Sequence, residues 1–151
     1  MKRYCKDIDI TDRIFISNAV RDCIKKKLSR KDTIELFCQY SGLPYNAIHR
    51  IVKHDYSNGY IDGLIETVID GIRQEIIYQS YVVKPIHYQT KIDGNSGKVR
   101  QIGIQDVKQQ LYDYIAAYGL WELFTTKIGY YQCSALENKG QIFGVKSLKK
   151  W

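Results

Sequence analysis

Three cations stand close together in residues 91–100: Lys91, Lys98 and Arg100. The residues around them alternate on either side of a Gly- and Asn-containing stretch, 93–97 (DGNSG). This predicts a β-hairpin with arms over 84–92 (KPIHYQTKI) and 98–104 (KVRQIGI). A stiff arm of this kind can carry cations toward an anion. Arg100 is the sharper candidate, because a planar guanidinium can hold two phosphate oxygens at once. In phosphoryl transfer such cations neutralise the polyphosphate, while metal-bound carboxylates run the reaction. The plainer reading is an exposed hairpin whose cations keep its edges soluble.

Other groups offer less. Asp7 and Asp9 have the D-x-D spacing of metal-dependent polymerases, but they lie in an irregular leader with no partner acid nearby. A calcium loop could open on Asp93 and Asn95, yet the glycine positions and the missing distal Glu count against it. Cysteines at 5, 23, 38 and 133 form no C-x-x-C pair, and His49, His54 and His87 form no ligand pattern. Cys23 and Cys38 read as small core residues. Neither a metal site nor a catalytic residue is expected in this chain.

The elements that must position the hairpin are mostly helices. A first helix, with Thr11 as N-cap and Asp12 in its first turn, is expected to run to about Leu28, burying Ile14, Phe15, Ala19 or Val20, Cys23 and Ile24. Ser29 is expected to cap a second helix, with Asp32 three positions on approximating a capping box. It carries Ile34, Leu36, Phe37 and Tyr40 and ends at Ser41 and Gly42. Pro44 suits the first turn of a third helix with Ala47, Ile48, Ile51 and Val52. Residues 33–53 fit a helix-turn-helix template that would turn Asn46, His49, Arg50 and Lys53 outward.

A fourth helix, from Tyr60 to about Gln79, has Ile61, Leu64, Ile65, Val68, Ile69, Ile72, Ile76 and Ile77 on one side and reads as the central post. Gly63 and Gly71 within it hint at close packing of another element. Val82 and Val83 read as a short strand start. A last helix over about 106–124 packs Val107, Leu111, Tyr114 or Ile115, Tyr118 and Leu123. The fold class is α+β: a helical N-terminal bundle over residues 1–80, then a region over 81–151 with the hairpin, a long helix and a basic C-terminal segment.

A chain of 151 residues, 44% hydrophobic and 26% charged, is ordinary for one globular domain. No run approaches the roughly 18 apolar residues of a membrane span, and the charged first residues lack the apolar core of a signal peptide. The chain is therefore expected to be cytoplasmic, with no membrane partner. The net charge of +7 is uneven. Arg21, Lys25, Lys26, Lys27, Arg30 and Lys31 face one acid, Asp22, within residues 21–31, and Lys139, Lys146, Lys149 and Lys150 face none within 138–151. Such clusters attract polyanions by counterion release, and 13 tyrosines supply rings that can stack on bases.

Three pieces in order carry a family resemblance: 98–104 (KVRQIGI), the stretch 106–114 (DVKQQLYDY), and 127–144 (KIGYYQCSALENKGQIFG) continuing to Trp151. Together they resemble the opening motifs of group II intron-like reverse transcriptases, RNA-directed DNA polymerases, over residues 85–151. Gln105 departs from the Pro that often follows "I-G-I" in that family. The resemblance implies that 81–151 is a fingers region, with Arg100 and Lys91 reaching the triphosphate of the incoming nucleotide. It also implies that Gln132, Lys139, Gly140 and Gln141 contact nucleic acid, and Lys98 of the basic hairpin and Lys146 of the basic C-terminal cluster are expected to join them.

The family's catalysis needs palm aspartates that bind two divalent metals. This sequence has no Asp-Asp pair, and the resemblance reaches Trp151, where the palm would begin. The chain alone is expected to be inactive, needing no cofactor, with Mg²⁺ entering only with a complete palm. Expected partners are an RNA or DNA template and the remainder of a polymerase. Two other readings stay open. One is a stand-alone nucleic-acid- or ribonucleoprotein-binding protein of a phage or mobile element, such as an inhibitor of a guided nuclease. The other is a helix-turn-helix DNA-binding regulator.

Overall fold

A computed structural model describes residues 4–54, 59–82, 84–94, 96–127 and 140–149. The fold class is α+β: among these residues lie seven helices and one two-stranded antiparallel hairpin. The chain divides into two compact units, Asp9–Tyr118 and a second made of Met1–Ile8 with Gly119–Trp151.

The first unit is organised on α4 (Tyr60–Ile77), which packs against α1 (Arg13–Ile24), α2 (Lys31–Ser41) and α3 (Tyr45–His54). Its apolar residues recur every three or four positions, so Leu64, Ile65, Val68, Ile69 and Ile72 all fall on one buried stripe. They meet Ile16, Val20 and Ile24 of α1, Ile34 and Phe37 of α2, and Ile48 and Val52 of α3 in one core. The opening of α5 (Val107–Gly119) joins the same core through Val107, Leu111 and Ile115.

Several sequence expectations shift by a residue or a turn. Asp12, not Thr11, caps α1: its backbone is extended and its carboxylate accepts the Phe15 N–H at 3.0 Å. The helix stops at Ile24, and residues beyond it turn more tightly, with the Lys27 N–H donating to the Ile24 carbonyl at 2.7 Å. Ile14 is 72% exposed, because it lies two residues, or about 200°, around the helix from the core residue Ile16. Ser29 does not cap α2; Arg30 holds that position without a side-chain cap bond. Val82 is exposed and in no strand, and Val83 lies outside the described residues. The expected long last helix is broken, α5 ending at Gly119 and α6 (Trp121–Lys127) beginning anew, since glycine is a poor helix former. Ile115 is the buried alternative and Tyr114 the exposed one.

A half-buried polar hub ties three helices. The Glu75 carboxylate on α4 accepts from Tyr40 Oη on α2 at 2.8 Å, from Lys108 Nζ on α5 at 2.9 Å, and from Tyr112 Oη on α5. Lys108 also lies over the Tyr40 ring, 5.6 Å from its centroid. Burial pushes the Glu75 carboxyl up, but the bonds from Tyr112, Lys108 and Tyr40 more than offset this and hold it below the usual carboxylate range. Both phenols are pushed up, by burial and by the carboxylate they serve. Asp32 makes a second tie: its Oδ2 accepts the Val107 N–H at 2.9 Å, so α2 caps the start of α5.

Of the two glycines inside α4, only Gly71 answers to close packing. A Cβ there would overlap Cδ1 and Cε1 of the Tyr40 ring, whereas a Cβ on Gly63 would meet nothing within 4 Å.

The second unit contains α6 and α7 (Gln141–Leu148). The leading segment is held along α6: the Cys5 N–H donates to Glu122 Oε2 at 2.8 Å, and Lys127 Nζ sits 5.5 Å from the Tyr4 ring centroid.

Two predictions follow from the hub and the glycines. Gly71→Ala should lower stability by about 1–3 kcal/mol through overpacking, while Gly63→Ala should raise it by up to about 1 kcal/mol through helix propensity. Urea midpoints of the two variants would separate in opposite directions. Glu75→Gln should cost about 1–3 kcal/mol at neutral pH, where it leaves Lys108 without its counter-charge. Because the folded Glu75 pKa is lowered, its contribution is present above the ordinary value of 4.5 and lost as pH falls below it. The stability gap between wild type and variant should therefore narrow in acid, as read from unfolding midpoints across that range.

Candidate polyanion-binding hairpin

The hairpin is built where the sequence places its turn. β1 (His87–Ile92) and β2 (Val99–Ile104) pair antiparallel, with His87 opposite Ile104 and Ile92 opposite Val99. The loop closes through the Asp93 N–H donating to the Lys98 carbonyl at 2.9 Å and the Gly97 N–H donating to the Asp93 carbonyl at 2.8 Å. Gly97 has φ +64°, a conformation that glycine adopts without a Cβ penalty.

Every residue of both strands is exposed. Since cross-strand partners share a face and alternate along the strand, one face carries His87, Gln89 and Lys91 with Arg100, Ile102 and Ile104. The other carries Tyr88, Thr90 and Ile92 with Val99, Gln101 and Gly103. Gly103 leaves room for a neighbour, as a Cβ there would lie 3.3 Å from the Tyr88 ring and 3.0 Å from Ile86 Cγ2. The face with Lys91 and Arg100 is thus basic toward the loop and apolar toward the base.

Lys91 and Arg100 are direct cross-strand partners. Like charges in that position repel, and the hairpin relieves this in part through Asp93, whose Oδ2 lies 3.1 Å from Arg100 Nη2. The pair is exposed, with the Arg100 side chain 65% accessible, so it holds the guanidinium only weakly. Lys98 sits one residue before β2 and is exposed. At the base, Lys84 Nζ lies 3.5 Å from Glu35 Oε2 and 3.7 Å from Asp106 Oδ2. Asp106 also accepts the Gln109 N–H at 2.9 Å, holding the first turn of α5 two residues after β2 ends.

Lys91, Lys98 and Arg100 therefore come together on one arm. The other sequence-predicted contacts do not join them within this unit. Gly140 is the N-cap of α7, Gln141 is its first residue, and Lys146 lies exposed further along it. Gln132 and Lys139 lie outside the described residues. Asp93 is the functional neighbour that motif reading missed; a loop acid seven residues before a candidate arginine is the signal that could have found it.

The basic cluster over residues 21–31 is largely neutralised, contrary to its formal count. Arg21 donates to Asp62 Oδ1 at 2.7 Å and Glu66 Oε1 at 2.5 Å, both on α4. Glu66 and Asp70 also hold Arg13, at 2.5 and 2.8 Å. Lys25 pairs with Asp22, Arg30 with Asp32, and Lys31 with Glu35. The hydrogen bonds from Arg13 and Arg21 keep the Glu66 carboxyl below its ordinary range. Lys27 donates to Cys23 Sγ at 3.2 Å and sits over the Tyr114 ring. Acids 41 and 45 residues away in sequence serve Arg21, which is why a local count overstated the free charge.

The acids of the leader have local work as well. Asp9 accepts from the Thr11 N–H at 2.8 Å and hydroxyl at 2.6 Å, and these bonds lower its pKa. Among the described residues no group of three His, Cys, Asp or Glu side chains could hold a metal ion, and no helix is long and apolar enough to cross a membrane. Neither a family model, nor a curated protein, nor a solved structure matches the chain.

Removing the competing acid tests whether Arg100 is available to an anion. Asp93→Asn should raise the affinity of the chain for a polyphosphate such as triphosphate by about two- to fivefold, the scale of an exposed ion pair. Titration of the variant by calorimetry in low salt checks this, and an unchanged affinity would show that Arg100 does not face the ligand.

Proposed function

We propose that this chain is the fingers portion of an RNA-directed DNA polymerase of the group II intron type. In this reading the hairpin carries Arg100 and Lys91 to the triphosphate of the incoming nucleotide, and Lys98 lies along the template. The observation that carries it is the opposition of Lys91 and Arg100 on an arm exposed on both faces. Two cations placed directly opposite each other weaken a hairpin unless an anion lies between them. A triphosphate supplies that anion, and Arg100 can hold two of its oxygens while Lys91 adds a point charge. Gly140, Gln141 and Lys146, with Gln132 and Lys139, would extend the grip on nucleic acid.

The chain's residues bind and orient in this reading, and bond formation falls to palm carboxylates with Mg²⁺. The template would be RNA or DNA, and the remaining partner is the rest of the polymerase. The order and spacing of KVRQIGI, DVKQQLYDY and KGQIFG support the reading from the sequence side.

The test is primer extension on an RNA template by a polypeptide that joins this chain to a palm. Arg100→Ala should raise the KM for nucleotide by about 10–100-fold, the loss of a charge-assisted bidentate contact, with the helical content unchanged. A KM equal to that of wild type would remove Arg100 from the triphosphate site.

A further inference from the structure

Helix α3 presents a second charged surface that the hairpin reading does not use. Its core side is Ile48 and Val52, which are buried. On the opposite side Asn46, His49, Arg50, Lys53 and His54 are all exposed, at the spacing of one helical face. No residue of the helix is acidic.

The distribution of ion pairs separates this face from the cations of α1 and α2. Arg13, Arg21, Lys25, Arg30, Lys31, Lys84, Arg100 and Lys108 each have an acid within 4.0 Å. Arg50 and Lys53 pair with no acid among the described residues. Their charge is therefore available at the surface, whereas most of the cations around α1 and α2 are already spent on carboxylates. Tyr45 at the start of the helix stacks on His49, with ring centroids 6.0 Å apart and planes 14° apart, which fixes one edge of the face.

The approach to α3 is also constrained. α2 ends at Ser41, its C-cap Gly42 makes the turn with φ +72°, and the Ser41 hydroxyl donates back to the Phe37 carbonyl at 2.7 Å. The Ala47 and Ile48 N–H groups both reach the Pro44 carbonyl, starting α3 with only three residues between it and α2. Two packed helices joined so briefly, the second with donors outward and apolar residues inward, have the organisation of a helix-turn-helix.

We infer that the outward face of α3 docks in the major groove of duplex DNA, with Arg50 and Lys53 on phosphates and Asn46 toward the base edges. A helix about 10–12 Å across matches the major groove of B-form DNA, about 12 Å wide. The deep, narrow groove of A-form RNA does not admit it. This surface stands on different residues from the hairpin and does not depend on the polymerase reading.

The experiment is fluorescence anisotropy of the whole chain with a labelled duplex DNA of about two helical turns, titrated with salt. The double variant Arg50→Ala/Lys53→Ala should lower affinity at least about tenfold and reduce the slope of log K against log salt by about 2, near 0.9 for each lost phosphate contact. Lys25→Ala/Lys31→Ala removes the same formal charge from cations that already have acids, and should change the slope by less than half as much. Lys91→Ala/Arg100→Ala should leave the α3 contribution intact, which separates this inference from the hairpin's role. Circular dichroism checks that each variant keeps its helices. The inference is overturned if the α3 double variant binds DNA as wild type does, or if the paired-lysine control loses as much. Duplex RNA of equal length bound as tightly through Arg50 and Lys53 would equally overturn it.

Discussion

The Glu75 carboxylate is the interaction on which most of the first unit depends. It draws Tyr40 from α2 and Lys108 and Tyr112 from α5 onto α4, so three helices converge on one side chain. An ionised acid in this half-buried position is stabilised because every partner donates to it. The consequence reaches the hairpin. β2 ends at Ile104 and α5 starts at Val107, so the helix anchored by Glu75, and capped from α2 by Asp32, fixes where the arm leaves the core. Among the described residues every position of both strands is exposed, which makes this root the arm's main support.

The charges divide into two kinds of work. Arg13 and Arg21 lie eight residues apart on α1 and meet acids at 62, 66 and 70, spaced by four on α4. Each exposed pair contributes little, yet the matched stripes favour one register of α1 on α4 over its neighbours. The cations of α3 and the hairpin tip make no comparable match. A chain of net charge +7 thus spends part of its excess on holding helices together and leaves the remainder where a polyanion could meet it.

How much was legible follows the range of each interaction. The stripe on α4 and the turn chemistry of residues 93–97 are local patterns, so the central helix and the hairpin could be read directly from residue types. The opposition of Lys91 and Arg100 follows once the loop sets the register. Long-range pairings could not be read that way. Nothing near Arg21 announces Asp62 and Glu66, and nothing near Gly71 announces Tyr40, so one glycine of α4 proved to be a packing site and the other did not. Helix ends were misplaced where neighbouring residues compete, as Thr11 and Asp12 do for one cap, or where a lone Gly119 breaks a pattern that is otherwise continuous.

The contact between Gly71 and Tyr40 also limits how this sequence can change over evolutionary time. A side chain at 71 needs the space of the ring at 40, and giving up that ring removes one donor from Glu75. A Glu75 short of a donor then favours loss of its charge, which in turn strands the ammonium of Lys108. Positions 40, 71, 75 and 108 are therefore bound into a single evolutionary unit. A viable substitution at one requires compensation at the others, and a substitution that is neutral on a different background would be harmful on this one.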